Sequence, residues 1–307
     1  MTRLAQTLFA ALLAFAALVS PATAQTQAGD GFGVLVMAHG GGPAWNREVA
    51  AMLEPVGRDH PLELAFGMAD PATLQEAIGR LEARGVSRIA VVRLFISGDS
   101  FRERTEQILG LRPGAPPRPA DAAHAGHGGD HGGHSMALWR ITSNARFALS
   151  DEGLANAPEM GAVLVERVRA LSREPARESV LVLAHGPGDD AENERWIAEI
   201  GRRAEAVRGF APFREVRVDT LREDWPEKRE VSQARIRAFV QEASASGDRV
   251  IVIPYRVQGF GPYGRVLEGL TYEADRRGLI PSGEVEQWVR RQIEALRPAL
   301  AAQQPAS

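Results

Sequence analysis

Two segments of this chain end a run of small apolar residues in histidine and glycine. The first is Val34-Leu35-Val36-Met37-Ala38-His39-Gly40, and the second is Val180-Leu181-Val182-Leu183-Ala184-His185-Gly186. An imidazole has an unperturbed pKa of about 6.5 and a nitrogen lone pair, so it can accept a proton or bind a borderline divalent metal. His39 and His185 are therefore candidate metal ligands, and His39 is also a candidate general base. The alternative for either ring is a hydrogen bond to a loop carbonyl.

Four more of the seven histidines lie together in His124-Ala-Gly-His127-Gly-Gly-Asp130-His131-Gly-Gly-His134. Their spacing would line one helix face, but the glycines would cost such a helix about 4 to 5 kcal/mol relative to alanine. A flexible loop is expected instead, able to wrap a divalent cation such as cobalt, iron, nickel or zinc through His124, His127, His131 and His134. The bland alternative is a solvated linker. The chain has no cysteine, so any metal must be held by His, Asp or Glu.

Further candidates follow other strand-like runs. Arg93, Ser97, Gly98 and Ser100 fall in or after Arg88 to Phe95; Arg256, Gly259 and Gly261 follow Arg249 to Tyr255. Arginines there could clamp a carboxylate in bidentate fashion, and glycine amides could meet one directly. Arg102, Arg104 and Arg265 belong to the same set. Trp45 and Trp196 follow the two His-Gly steps and are expected to pack helices, and His60 is expected in a surface loop.

Positioning these groups requires a sheet. Five consecutive apolar residues rich in valine read as a strand buried on both faces, the parallel-sheet pattern. Trp45 to Val56 and Ala72 to Arg84 read as helices, with strands at Leu62 to Phe66 and Arg88 to Phe95. The second half repeats this βαβαβ order, with strands at Val180 to Ala184, Glu215 to Val218 and Arg249 to Tyr255. Helices are expected between them near 191–207 and 231–244. Each half ends in a charged amphipathic helix. The expected fold is α/β, with two homologous lobes of mainly parallel sheet, each in three layers, and a central cleft between them. The lobes span 30–172 and 177–298, and the first carries a proline-led, His-rich insert at 112–135. In such sheets ligands sit outside the carboxyl ends of the strands, which is where His39 and His185 would stand.

Of 307 residues, 44% are hydrophobic and 24% charged, so the chain can bury a large core. A net charge of -3 gives no electrostatic case for a nucleic-acid partner. Residues 1–24 read as a signal peptide, with Arg3, an apolar stretch from Leu8 to Val19 and a small-residue cleavage site at Ala22-Thr23-Ala24. A periplasmic or secreted location is expected, without stable membrane insertion after cleavage.

The His-Gly strand end, the stretch Ala65 to Ala77 and the run Arg88-Ile89-Ala90-Val91-Val92-Arg93-Leu94-Phe95-Ile96-Ser97-Gly98 together resemble the CbiX/SirB family of sirohydrochlorin chelatases. The likeness recurs once per half. It implies a two-lobed α/β fold that inserts cobalt or ferrous iron into a polycarboxylated tetrapyrrole without ATP, with His39 as metal ligand and as a base for pyrrole protons. In that family a second histidine follows the Leu-Phe-Ile-Ser segment, where this chain has Asp99 and Ser100. The acidic residue expected just after Phe66 is Gly67 or Met68 here, leaving Asp70 displaced. The alternative is a noncatalytic periplasmic protein that binds or delivers a divalent metal on the same fold.

Two weaker motifs point elsewhere. Gly259-Phe-Gly261-Pro-Tyr-Gly264 fits a G-x-G-x-x-G string, but Pro262 lies inside it and no companion motif is present, so no nucleotide is expected. His39-Gly40-Gly41-Gly42 resembles an esterase oxyanion loop, but the chain has no Gly-x-Ser-x-Gly elbow.

Overall fold

The computed structural model describes residues 31–120 and 137–302. The expected leader and the four histidines of the insert, His124, His127, His131 and His134, lie outside the described residues. The first half runs β1 (Phe32–Ala38), α1 (Pro43–Asp59), β2 (Leu62–Phe66), α2 (Pro71–Glu82), β3 (Arg88–Leu94), α3 (Arg102–Leu109), β4 (Arg146–Leu149) and α4 (Glu159–Leu171). A single 3-10 turn at Pro175–Arg177 leads into the second half. That half repeats the order as β5 (Glu178–Ala184), α5 (Asp190–Phe210), β6 (Glu215–Thr220), α6 (Pro226–Ala245), β7 (Arg249–Tyr255), α7 (Tyr263–Val266), β8 (Glu273–Ala274) and α8 (Gly283–Ala302). The expected βαβαβ units are present. The sequence reading passed over β4, β8, α3 and α7, which are too short to show a clear period.

The strand orders are β2-β1-β3-β4 and β6-β5-β7-β8, with every pairing parallel. β1 and β5 are buried along their whole length, which is why they read as unbroken apolar runs. Alternate side chains serve different cores. Val34 and Val36 of β1, with Val180 and Val182 of β5, belong to one continuous core shared by α1, α4, α5 and α8. Leu35 and Met37 face a second core under α2 and α3, while Leu181 and Leu183 face a third under α6 and α7. The two three-layered lobes therefore share one inner helical layer.

Each half closes on the other half's sheet. α8 packs on β3, β4 and α1, while α4 packs on α5 and β7. Trp288 of α8 is fully buried and donates through Nε1 to Glu152 at 2.9 Å. Arg167 of α4 is buried and donates to the carbonyls of Gly278 (3.0 Å) and Pro281 (2.7 Å) in the second half. The hydroxyl of Tyr255 at the end of β7 donates to the Leu154 carbonyl at 2.8 Å. These ties fix the two lobes relative to each other and so fix the cleft between them. No described helix is long and apolar enough to cross a membrane.

Candidate functional site

Each sheet changes direction between its first two strands in chain order and its third, so its topological switch point lies at the carboxyl ends of β1 and β3, or of β5 and β7. His39 directly follows β1 and His185 directly follows β5. The glycine after each adopts a left-handed φ, +81° at Gly40 and +79° at Gly186. A side chain at Gly186 would also come within 2.6 Å of Thr220, so glycine is required there on both counts.

Both histidines line one cleft of about 470 Å³ between the lobes. Trp45, Met68, Phe95 and Phe101 form much of the wall on one side, and Trp196 and Trp225 on the other. Trp45 and Trp196 also belong to the shared core, so they pack helices as expected while lining the cleft. His39 is exposed, with Nδ1 3.3 Å from the carbonyl of Gly40.

His185 is more constrained. Its Nδ1 lies 2.8 Å from the Gly186 carbonyl, and its Nε2 lies 2.9 Å from Asp224 Oδ2 and 3.6 Å from Glu223 Oε1. Both neighbours are acceptors, so the ring donates from Nδ1 to the carbonyl or from Nε2 to Asp224, and Nε2 is open to a metal only in the tautomer that keeps its proton on Nδ1. In that tautomer Nε2 and Asp224 Oδ2 are neighbouring nitrogen and oxygen donors at the cleft. Among the described residues no three His, Asp or Glu side chains form a complete metal cage. Glu223 is committed elsewhere, to an ion pair with Arg256.

No protein-family model and no curated protein matches the sequence, but the three-dimensional comparison is informative. SirB from Bacillus subtilis with Fe3+ aligns at a TM-score of 0.58 and 16% identity, over 87% of this chain and 97% of that one. The cobalt complex of the sirohydrochlorin chelatase SirB from Bacillus subtilis subspecies spizizenii gives 0.54 and 16%, over 88% and 98%. CbiX, the terminal enzyme for biosynthesis of siroheme in denitrifying bacteria, gives 0.51 and 14%, over 86% and 98%.

The fold is that of the SirB and CbiX chelatases.

Within this chelatase fold the other sequence candidates separate. Ser100 and Arg256 line the histidine cleft, whereas Ser97 and Gly98 line an adjoining one of about 360 Å³. Arg93 was expected to clamp substrate and does not face the cleft. It is 1% exposed, and its guanidinium donates to the carbonyls of Gly98 (2.6 Å), Ser100 (3.0 Å) and Ser150 (2.6 Å). Burial, with a smaller contribution from Arg102, pushes its pKa down to about 10, so it remains a cation at neutral pH and organises the loop after β3. Arg102 pairs with Glu106 and Asp151, and Arg104 donates to the carbonyls of Ala69 and Ala137.

The expected glycine cradle also takes another role. The Gly259 amide donates to the Arg277 carbonyl at 2.6 Å, and neither Gly259 nor Gly261 is part of the cleft wall. Asp70 is the N-cap of α2, accepting from the Ala72 amide at 2.8 Å. His60 caps the C-terminus of α1 and meets Phe32 edge-on at 5.6 Å.

The sequence reading missed Glu223, Asp224 and Trp225. Asp224 lies four residues beyond β6 as Asp70 lies four beyond β2, so aligning the two halves by strand would have brought it forward. The root of the insert is pinned where it leaves the fold: Pro117 forms a bridge with Arg140, and Arg118 stacks over Trp139 at 5.2 Å.

Proposed function

We propose that this protein is an ATP-independent chelatase that inserts a divalent cation, cobalt or ferrous iron, into a sirohydrochlorin-like tetrapyrrole. The observation that carries the reading is the opening of two His-Gly strand ends, His39 and His185, onto one aromatic-walled cleft at both switch points. The shared fold with proteins solved in complex with Fe3+ or cobalt supports it.

The donor set suits transfer rather than storage. A complete cage of protein ligands would retain the metal, whereas a pair or trio of donors leaves coordination positions for the four ring nitrogens. His39, exposed at the cleft, is the principal ligand, and His185 with Asp224 faces the cleft from the other lobe. Insertion expels two pyrrole protons as the metal enters. The lone pair that His39 regains on releasing the metal takes one, and solvent at this open site takes the other. The insert histidines, His124, His127, His131 and His134, recruit metal; their segment returns to the fold at Ala137, whose carbonyl is held by Arg104 together with that of Ala69, next to Met68 of the cleft wall. The proposed place of action is periplasmic or secreted, resting on the signal peptide expected at residues 1–24.

The test is absorbance-monitored metal insertion by the mature protein, beside His39→Ala and His185→Ala. A cobalt-dependent shift of the macrocycle spectrum that His39→Ala abolishes is the expected result. Tight metal binding with no spectral change in any macrocycle would instead make the chain a metal carrier on a chelatase fold.

A further inference from the structure

On the chelatase reading above, the charge lining the cleft bears on the periphery of the macrocycle. A polycarboxylated ring needs cations along its path, and arginines free to fork onto carboxylates are the usual means. Among the described residues, the cleft wall offers one arginine, Arg256, and it is already paired with the partly buried Glu223. Arg93 is turned into the fold, Arg102 is paired with two carboxylates, and Arg104 is spent on carbonyls. Arg265 is exposed on α7, away from the wall.

The anions run the other way. Glu192 and Asp224 line the cleft, and Glu192 continues into the adjoining one, where Arg195 lies with Asp99 and Glu199, and with Asp151 and Glu152, which are paired with Arg102 and Arg291. Apart from His39, His185, Ser100 and Gln258, the remaining wall is aromatic and apolar. A ligand surrounded by carboxylates would lose its hydration there and meet like charge; a flat apolar ring would bury its faces against the tryptophans.

We infer that the macrocycle taken by this cleft carries few carboxylates, with an uncharged edge entering between the walls of Trp45 and Trp196. This narrows the proposed sirohydrochlorin-like tetrapyrrole to a ring with fewer carboxylates on the edge that enters the cleft.

The test uses the full mature chain and three probes, a porphyrin dicarboxylate, tetracarboxylate and octacarboxylate, with binding read from quenching of tryptophan fluorescence and cobalt added afterwards. The expected order of affinity is di- over tetra- over octacarboxylate, spanning at least about tenfold at low salt and narrowing as salt screens the repulsion. Glu192→Gln, with an unchanged melting temperature, should narrow the same gap by strengthening octacarboxylate binding. Equal or tighter binding of the octacarboxylate overturns the inference and leaves the chelatase reading standing. A preference that ignores both salt and Glu192→Gln also overturns it, since simple hydrophobicity would then explain the order. Binding of the dicarboxylate without cobalt insertion keeps the inference and removes the chelatase reading, and failure to bind any ring removes both.

Discussion

Nε2 of His185 lies 2.9 Å from Oδ2 of Asp224, on a loop that β6 delivers to the cleft. The pair is a ring nitrogen and a carboxylate from two neighbouring parallel strands, brought together because β5 and β6 end in register at Ala184 and Thr220. Glu223 reinforces it from 3.6 Å while pairing with Arg256 on its other side.

Asp224→Asn should therefore weaken cobalt binding by about ten- to a hundredfold, as expected when a carboxylate beside a ligating histidine is neutralised. Competition titration measures this. In a double-mutant cycle with His185→Ala the losses should be strongly non-additive, because the two groups act on one cation. Additive losses would mean that they act independently.

Arg93 is expected to behave as a structural residue. Arg93→Met strips the donor from the Gly98, Ser100 and Ser150 carbonyls at once and should cost about 3 kcal/mol of stability. Urea denaturation reads the loss. A residue clamping substrate would leave the midpoint unchanged and reduce only ligand affinity.

The exchanged terminal helices make the two lobes one cooperative unit. Trp288→Ala removes a fully buried indole from the layer both sheets share and should cost about 3–5 kcal/mol. Fluorescence and circular dichroism should report a single coincident transition in both proteins. Two separate transitions would show lobes that fold independently.

Acid stability should depend on Glu178. Burial alone would raise its carboxyl, but hydrogen bonds from Ser172, the Arg173 and Glu174 amides and Arg249 outweigh burial and hold it below the usual glutamate range. A carboxyl with a lowered folded pKa contributes stability that is fully present above its unfolded value, about 4.3, and is lost as pH falls through the lower folded value. Glu178→Gln should thus be less stable at pH 7, and its stability should fall less steeply below about pH 4.3. Melting temperatures across pH 2.5 to 7 test both parts.

Replacing residues 121–136 by a short Gly-Ser linker should leave stability within about 0.5 kcal/mol, because the Pro117–Arg140 bridge already ties the ends of the insert. The number of cobalt ions bound per chain should fall, while binding that depends on His39 persists. Unchanged stoichiometry would remove the insert from metal recruitment.

Local chemistry made much of this architecture legible. Uninterrupted apolar runs mark β1 and β5 because both faces of those strands are buried, and the glycines after His39 and His185 mark where each strand must turn. The duplication and the placement of both imidazoles at strand ends followed from that alone. Direction and partnership did not follow. Nothing local distinguishes an arginine turned into the fold, such as Arg93, from one facing a cleft, since both lie at the end of a buried strand. The amphipathic pattern of α4 and α8 states that one face is covered but not by which sheet, because hydrophobic burial has no address. The meeting of His185 with Asp224, the shared inner layer and the pairing of Arg256 with Glu223 at the cleft are products of long-range packing, so only the tertiary structure decided them.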